Sequence, residues 1–337
     1  MMVHEKYMRR CLELAELGAG SVAPNPMVGA VLVYGDAIIG EGYHKKYGQA
    51  HAEPNCIRDA EERFAQGATH GFATAAALLG ASTLYVSLEP CAHHGKTPPC
   101  ADLVVSKGIP KVVVGVRDPF PQVNGKGIDK LEKAGVTVIQ PVLEQECAAL
   151  NRRFFTYHIQ RRPYIVLKWA ESADSAIGRV GERVPVSNGW SNRLVHRWRS
   201  EEAAILVGGH TALVDDPSLT NRLWPGASPT RVVLGRDLPG GLRIFDNAAP
   251  TLVYETRVLA EVLEDLHRRS IQSVLVEGGA RLLNAFIAEG LWDEIRLIRS
   301  STVNLPGGIP APVLPRAKLD WNMRLGEDDI YGYVQYH

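Results

Sequence analysis

His51 and Glu53, two positions apart, are followed by Cys91 and Cys100, and these four side chains are the sequence's best candidates for chemistry. One imidazole and two thiolates are what a catalytic zinc site uses: three protein ligands, with a fourth position left open for water. His51, Cys91 and Cys100 supply that set. Glu53 can point at the water in the open position, take its proton and deliver it to a leaving amine. The alternative, in which His51 and Glu53 cap a helix and the cysteines are ordinary buried thiols, requires three ligands and an acid to fall in this order by accident. A closed structural site takes four ligands, so His93 or His94 would have to join; the loop holding them reads better as a substrate contact.

The surrounding pattern places these groups on regular elements. Met8, Cys11, Leu12 and Ala15 recur at helical spacing before Gly18. A hairpin is predicted from strand 28–33 through Gly35-Asp36 into 37–39. Then come helix 51–64, strand 84–88, helix 101–107, strand 111–116, helix 127–134 and strand 136–139, an α/β alternation with crossovers. His51 and Cys100 thus open helices, where free N–H groups and the helix dipole favour thiolate. Pro54 is tolerated in a first helical turn. Segment 64–82, rich in Ala and Gly, reads as an insertion. Segment 144–162 is amphipathic and is expected to be one helix leading into a linker. A boundary near Leu150 divides the chain into domains 1–150 and 151–337.

With 337 residues, 45% hydrophobic and 22% charged, the chain is an ordinary globular protein large enough for two domains. Lys+Arg and Asp+Glu both number 37, so no basic excess draws a polyanion, and a nucleic-acid partner is not expected. Five widely spaced cysteines do not form a disulfide framework, and the first residues lack the apolar core of a signal peptide. A cytoplasmic protein with no membrane partner is expected.

The second half is a further α/β series: strands 164–169, 204–207, 231–234, 251–254, 273–276 and 294–298, with helices 192–199, 258–268 and 281–288. It holds no Gly-x-Gly-x-x-Gly. It does place Glu277-Gly278-Gly279 between a strand and a helix, where glycines let a phosphate approach backbone N–H groups, though a tight turn needs them too. Arg199 and Arg222 are candidates for a phosphate because guanidinium binds it with paired hydrogen bonds.

The order of His51, Glu53, Cys91 and Cys100 is that of zinc nucleobase deaminases, except that eight residues separate the cysteines where two are usual. Pro24-Asn25-Pro26-Met27-Val28-Gly29, Gly42-Tyr43-His44, His51-Ala52-Glu53 and Ser87-Leu88-Glu89-Pro90-Cys91 through Cys100 resemble the bifunctional riboflavin-biosynthesis deaminase-reductases. Asp118 to Val123, Gly125-Lys126-Gly127, Lys168 to Asp174, Asp215-Asp216-Pro217 and Val276-Glu277-Gly278-Gly279 extend the resemblance over nearly the whole chain. In that family the long gap between cysteines is typical. The resemblance implies a cytidine-deaminase-like αβα layer fold followed by a dihydrofolate-reductase-like α/β fold. It implies zinc-dependent deamination of a diaminopyrimidinone ribosylamino phosphate, then NADPH-dependent reduction of its ribosyl group to ribityl. A homo-oligomer is expected.

Carried over residue by residue, Asn25, His44, Lys96, Arg199, Leu219, Arg222 and Glu277 become candidate substrate contacts. Ala170, Thr211, Asp215, Gly278 and Gly279 become candidate cofactor contacts. Two departures stand out. Ser175 replaces a customary glycine, narrowing backbone freedom there, and Gly235-Arg236 replaces a customary Asp, offering an arginine to the 2′-phosphate of NADPH. Two other readings compete: a deaminase with a degenerate reductase half, and a nucleic-acid-editing protein, against which the neutral charge balance argues.

Overall fold

The computed structural model describes residues 3–93 and 98–336. The chain divides into two compact units, Met1–Gln160 and Arg161–His337, so the division falls after Gln160 and not near Leu150.

The first unit runs α1 Val3–Glu16, β1 Gly29–Tyr34, β2 Ala37–Tyr43, α2 Ala52–Ala65, α3 Ala75–Leu79, β3 Thr83–Leu88, α4 Cys100–Ser106, β4 Lys111–Val116, α5 Lys126–Lys133, β5 Thr137–Ile139, α6 Glu144–Leu150 and α7 Arg152–Ile159. Its five strands lie in the order β2-β1-β3-β4-β5. β1 is antiparallel to β2 and β3, while β3, β4 and β5 are parallel. Successive strand residues feed opposite cores, as a period of two demands. Ala30, Leu32, Leu84, Val86, Val112 and Val114 face a core shared with α2 and α4. Val31, Val33, Tyr85 and Val113 face Tyr7, Met8, Cys11 and Leu14 of α1 and Cys147 of α6. The result is a helix–sheet–helix sandwich.

Two differences from the expected elements have physical causes. The single helix 144–162 is two helices, interrupted at Asn151, whose side chain bonds to the backbone of Met27. Segment 64–82 contains α3, capped by Thr74 and anchored by buried Leu78 and Leu79, so it contributes to the core.

The second unit runs β6 Tyr164–Glu171, β7 Ala176–Gly178, α8 Gly189–Glu201, β8 Ala204–Gly208, α9 Gly209–Asp215, β9 Thr230–Leu234, β10 Thr251–Tyr254, α10 Leu259–Arg268, β11 Ser273–Val276, α11 Ala280–Ala288, β12 Glu294–Ser300, β13 Ile309–Pro310, β14 Lys318–Leu325 and β15 Asp328–Val334. Its large sheet has the order β10-β9-β8-β11-β6-β12-β15-β14. β10 to β12 in that order are parallel, and β15 and β14 are antiparallel. The central strands are buried on both faces and accordingly read as continuous Val, Ile and Leu runs. The hairpin β14–β15 extends the strand series beyond residue 298.

Ser175 itself adopts the left-handed conformation, with φ of +60°. An L-residue is strained there and glycine is not. Ser175→Gly is therefore expected to stabilise the protein by about 0.5–1 kcal/mol, read as a rise in the thermal unfolding midpoint. An unchanged or lower midpoint would contradict this assignment of strain.

Candidate active sites

In the first unit, three element ends converge. His51 immediately precedes α2, Cys91 lies just beyond β3, and Cys100 is the first residue of α4. α2 packs so closely on β2 that a side chain at Gly42 would meet the backbone of Cys56 and Ala52. That approach fixes the start of the helix.

The His51 Nδ1 lies 3.7 Å from the Cys91 Sγ and 3.4 Å from the Cys100 Sγ. The three ligand atoms all fall within 4.8 Å of one another, the one such grouping among the described residues. Tetrahedral zinc, with bonds of about 2.0–2.1 Å to N and about 2.3 Å to S, spaces N and S about 3.6 Å apart. The donor set and its spacing fit zinc. Donation from the Cys100 thiol lowers the Cys91 pKa most, His51 and the Cys100 backbone N–H add to it, and the thiol is pulled down to about 4 despite its burial. Cys91 is thus readily the thiolate that a metal needs.

Glu53 sits in the first turn of α2 with 3% exposure. Burial pushes its carboxyl up to about 6, within reach of both protonation states near neutrality. It is not among the three clustered metal ligands.

Asn25 and His44 are brought together. The Asn25 Nδ2 lies 3.1 Å from the His44 Nε2, and the His44 Nδ1 lies 3.0 Å from the Ala50 carbonyl. His44 is buried, which lowers its pKa, and its ring meets that of His51 edge-on at 5.2 Å between centroids. Both ring nitrogens have protein partners, so His44 is the enclosed member of the pair and half-buried Asn25 the more accessible one. His93 stands outside the metal grouping, its ring against Phe120. Lys96 and His94 lie outside the described residues.

Glu89 was legible as part of a motif but not as a device. Its buried carboxylate accepts backbone N–H groups from Asp118, Gly125, Gly127 and Ile128 at 2.9–3.3 Å. This pins the chain entering Cys91 to the start of α5. Gly127 is required there because a side chain would strike the Pro90 carbonyl.

In the second unit the centre is a buried charge cluster. The Arg199 Nε and Nη2 donate to the two oxygens of Glu277 at 2.8 and 2.9 Å, and the Lys168 Nζ lies 3.8 Å from the same carboxylate. Burial alone would push the Glu277 carboxyl up; the charges of Arg199 and Lys168 outweigh it and hold it at about 2. Burial lowers the Lys168 pKa. Lys168 was anticipated only as part of a motif, since its partner lies far along the sequence.

Several expected contacts change in character. Arg199 spends its paired donors on Glu277, so it is not free to grip a phosphate with that edge. Leu219 buries its side chain among Ile205, Val207, Ala212, Val233 and Ile244, leaving only its backbone to a ligand. Arg222 is exposed. Its backbone N–H donates to the His196 Nδ1 at 2.9 Å, and its Nη1 donates to the Thr220 Oγ1 at 2.7 Å. It lines an open cavity of about 590 Å³ with Gly189, Arg193, Leu223, Trp224 and Pro225. Fully buried Arg231 ties the Ser218 carbonyl of the same loop to Asp246, which lies beyond β9.

Among the expected cofactor contacts, the Gly279 N–H donates to the Thr211 Oγ1 at 3.1 Å. That donor is already used, so a phosphate would meet the N–H groups of α11 beyond it. Gly278 packs against Leu282. Asp215 ends α9, with its pKa raised by burial. Ala170 is half-buried in β6, beside an apolar group. Arg236 is exposed and only loosely tied to Glu255, which leaves it available to an anion.

Comparison with known proteins matches each half of the chain to a different family model. Residues 1–116 match the cytidine and deoxycytidylate deaminase zinc-binding region, and residues 163–304 match the RibD C-terminal domain. The riboflavin biosynthesis protein RibD of Aquifex aeolicus is 38% identical, over 87% of this chain and 85% of its own. The Escherichia coli protein of that name is 33% identical, over 87% and 86%. A crystal structure of a diaminohydroxyphosphoribosylaminopyrimidine deaminase/5-amino-6-(5-phosphoribosylamino)uracil reductase from Thermotoga maritima superposes with a TM-score of 0.86 at 34% identity, covering 99% of both chains. With both halves of the sequence and both folds accounted for, the chain belongs to the RibD family, the bifunctional deaminase/reductases of riboflavin biosynthesis.

Proposed function

We propose that the first unit carries the deaminase and the second the reductase, with His51, Cys91 and Cys100 holding zinc and Glu53 moving the protons. The observation that carries this reading is the three-ligand cluster beside a buried carboxyl whose proton affinity lies near neutrality. Zinc, when bound, supplies Lewis acidity that makes water a nucleophile near neutral pH. Glu53 takes the proton of the attacking water and passes it to the amine that leaves as ammonia. Asn25 holds the pyrimidine ribosyl phosphate, and His44 orients Asn25.

In the reductase, NADPH, when bound, supplies the hydride. Glu277 and Arg199 shape the ribosyl pocket from a fixed, mutually neutralised pair, and Lys168, its proton loosened by burial, protonates the ring oxygen as the sugar opens. Arg222 meets the substrate phosphate. Thr211, Asp215, Gly278, Gly279 and Ala170 line the cofactor site, with Arg236 toward the 2′-phosphate. The intact Lys168–Glu277–Arg199 cluster favours an active reductase over a degenerate one.

A cytoplasmic enzyme fits five cysteines that are free thiols. No helix among the described residues is long and apolar enough to cross a membrane. Apolar Leu319 and Met323 exposed on outer strand β14 favour a homo-oligomer, and the balanced charge disfavours nucleic acid. The test is a coupled assay on one preparation. Ammonia release from the diaminopyrimidinone phosphate followed by NADPH oxidation supports the reading; ammonia without NADPH oxidation would revive the degenerate reductase.

A further inference from the structure

The segment between Val22 and β1 carries Asn25, the proposed substrate contact, in a stretch that belongs to no helix or strand. Pro24 and Pro26 have no backbone N–H, so this stretch cannot be zipped onto a neighbouring strand. Between Asn25 and Val28, Met27 carries the sole backbone N–H. Something else must hold it.

That group is Asn151. It lies in the break between α6 and α7, with 4% exposure. Its Oδ1 accepts the Met27 N–H at 2.8 Å, and its Nδ2 donates to the Met27 carbonyl at 2.8 Å. A side-chain amide here replaces a strand partner, satisfying both backbone groups of one residue in a single orientation. The residues on either side of Met27 lead directly into the site. The Asn25 Nδ2 reaches the His44 Nε2. The Val28 carbonyl accepts the His44 N–H at 2.9 Å. His44 continues to Ala50, the neighbour of His51.

We infer that Asn151 is a positioning residue for substrate recognition by the deaminase, setting the placement of Asn25 and His44 through the backbone of Met27. This rests on the proposed deaminase reading and adds to it. Among the described residues, the Asn151 side chain hydrogen-bonds to Met27 and to neither the candidate metal ligands nor Glu53. Its loss should therefore weaken ground-state binding and leave the chemical step largely intact.

The informative variant is Asn151→Asp. An ionised carboxylate still accepts the Met27 N–H but faces the Met27 carbonyl with no proton to give. A protonated carboxyl has nearly the shape of the amide and restores the donor. At about pH 8 the deaminase KM should rise about 10-fold or more, with kcat changed less than about 3-fold. As the pH falls toward about 5.5 the ratio of variant to wild-type KM should shrink, because the acid form of a carboxyl facing a carbonyl is favoured. Zinc content and the reductase rate on deaminated substrate should match wild type. In an Asn25→Ala background the KM effect of Asn151→Asp should largely vanish, since both act on the same contact.

An unchanged KM overturns the inference. So does loss of zinc with kcat and KM moving together at every pH, which would make Asn151 a general fold residue. If the wild-type chain releases no ammonia, the deaminase reading itself fails. If the wild type turns over normally while Asn151→Asp keeps its KM, only the role of Asn151 fails.

Discussion

Glu53→Gln should lose ammonia release by about 10²–10⁴-fold in kcat, the range typical of removing a positioned proton carrier, while keeping its zinc and its reductase activity. Gln preserves the shape and fills the same buried space in the first turn of α2. What it removes is the ability to accept and return a proton. Binding of the metal should persist because Glu53 is not one of the clustered ligands. Stability supplies a second readout. The native Glu53 carboxyl titrates above its ordinary value because of burial. A carboxyl raised in this way favours the native state only at low pH and costs it stability once ionised. The Gln variant should therefore melt no lower than wild type near neutral pH. Zinc loss, or deamination at the wild-type rate, would show that Glu53 has another role.

The second large effect is expected at Glu277. Its carboxylate is the counter-charge for both Arg199 and Lys168 inside a buried cluster. Glu277→Gln leaves two cations facing a neutral amide, and breaking a buried pair from one side costs about 3–5 kcal/mol. Reduction should fall by about 10²-fold or more, since the pocket would be remade around the displaced Arg199. Ammonia release and zinc content should stay at wild-type levels. The pH dependence follows from the signs. Glu277 has its native pKa depressed to about 2 by its cationic partners, so its stabilisation is present above the ordinary carboxyl range and is lost as pH falls through that range to about 2. In the Gln variant that acid-side loss disappears. Instead, stability should improve as pH rises and Lys168 sheds its proton, because burial already lowers its pKa. Normal reduction and normal melting in Glu277→Gln would contradict the account of the cluster.

These two residues also mark what could be read from sequence and what could not. The candidate zinc ligands stand out because their types carry the chemistry and each sits at an element end, where local pattern is informative. The eight-residue gap between the cysteines does not disturb this, since Cys91 is placed by β3 and Cys100 by the start of α4. Arg199 was legible as a phosphate candidate and Glu277 as part of a motif, but their pairing was not. They lie 78 residues apart, and nothing local signals that one neutralises the other. The same holds for Asn151, which sits 124 residues from Met27 in a stretch that reads as the approach to a linker. Leu219 was expected as a contact through the resemblance alone, yet its side chain turns inward to an apolar cluster. The hairpin β14–β15 was open to reading. Leu319, Trp321, Met323 and Leu325 alternate with Lys318, Asp320, Asn322 and Arg324, and Gly326 turns the chain in the left-handed region. α3 was harder, because a short Ala-rich helix has no amphipathic period long enough to stand out.

The most direct test of a zinc deaminase and a separate reductase on one chain is zinc removal with both half-reactions followed on the same preparation. After chelation, ammonia release from the diaminopyrimidinone phosphate should disappear and return when zinc is restored, while NADPH-dependent reduction of the already deaminated substrate continues at its original rate. Deamination that survives complete loss of zinc would contradict the assignment of His51, Cys91 and Cys100.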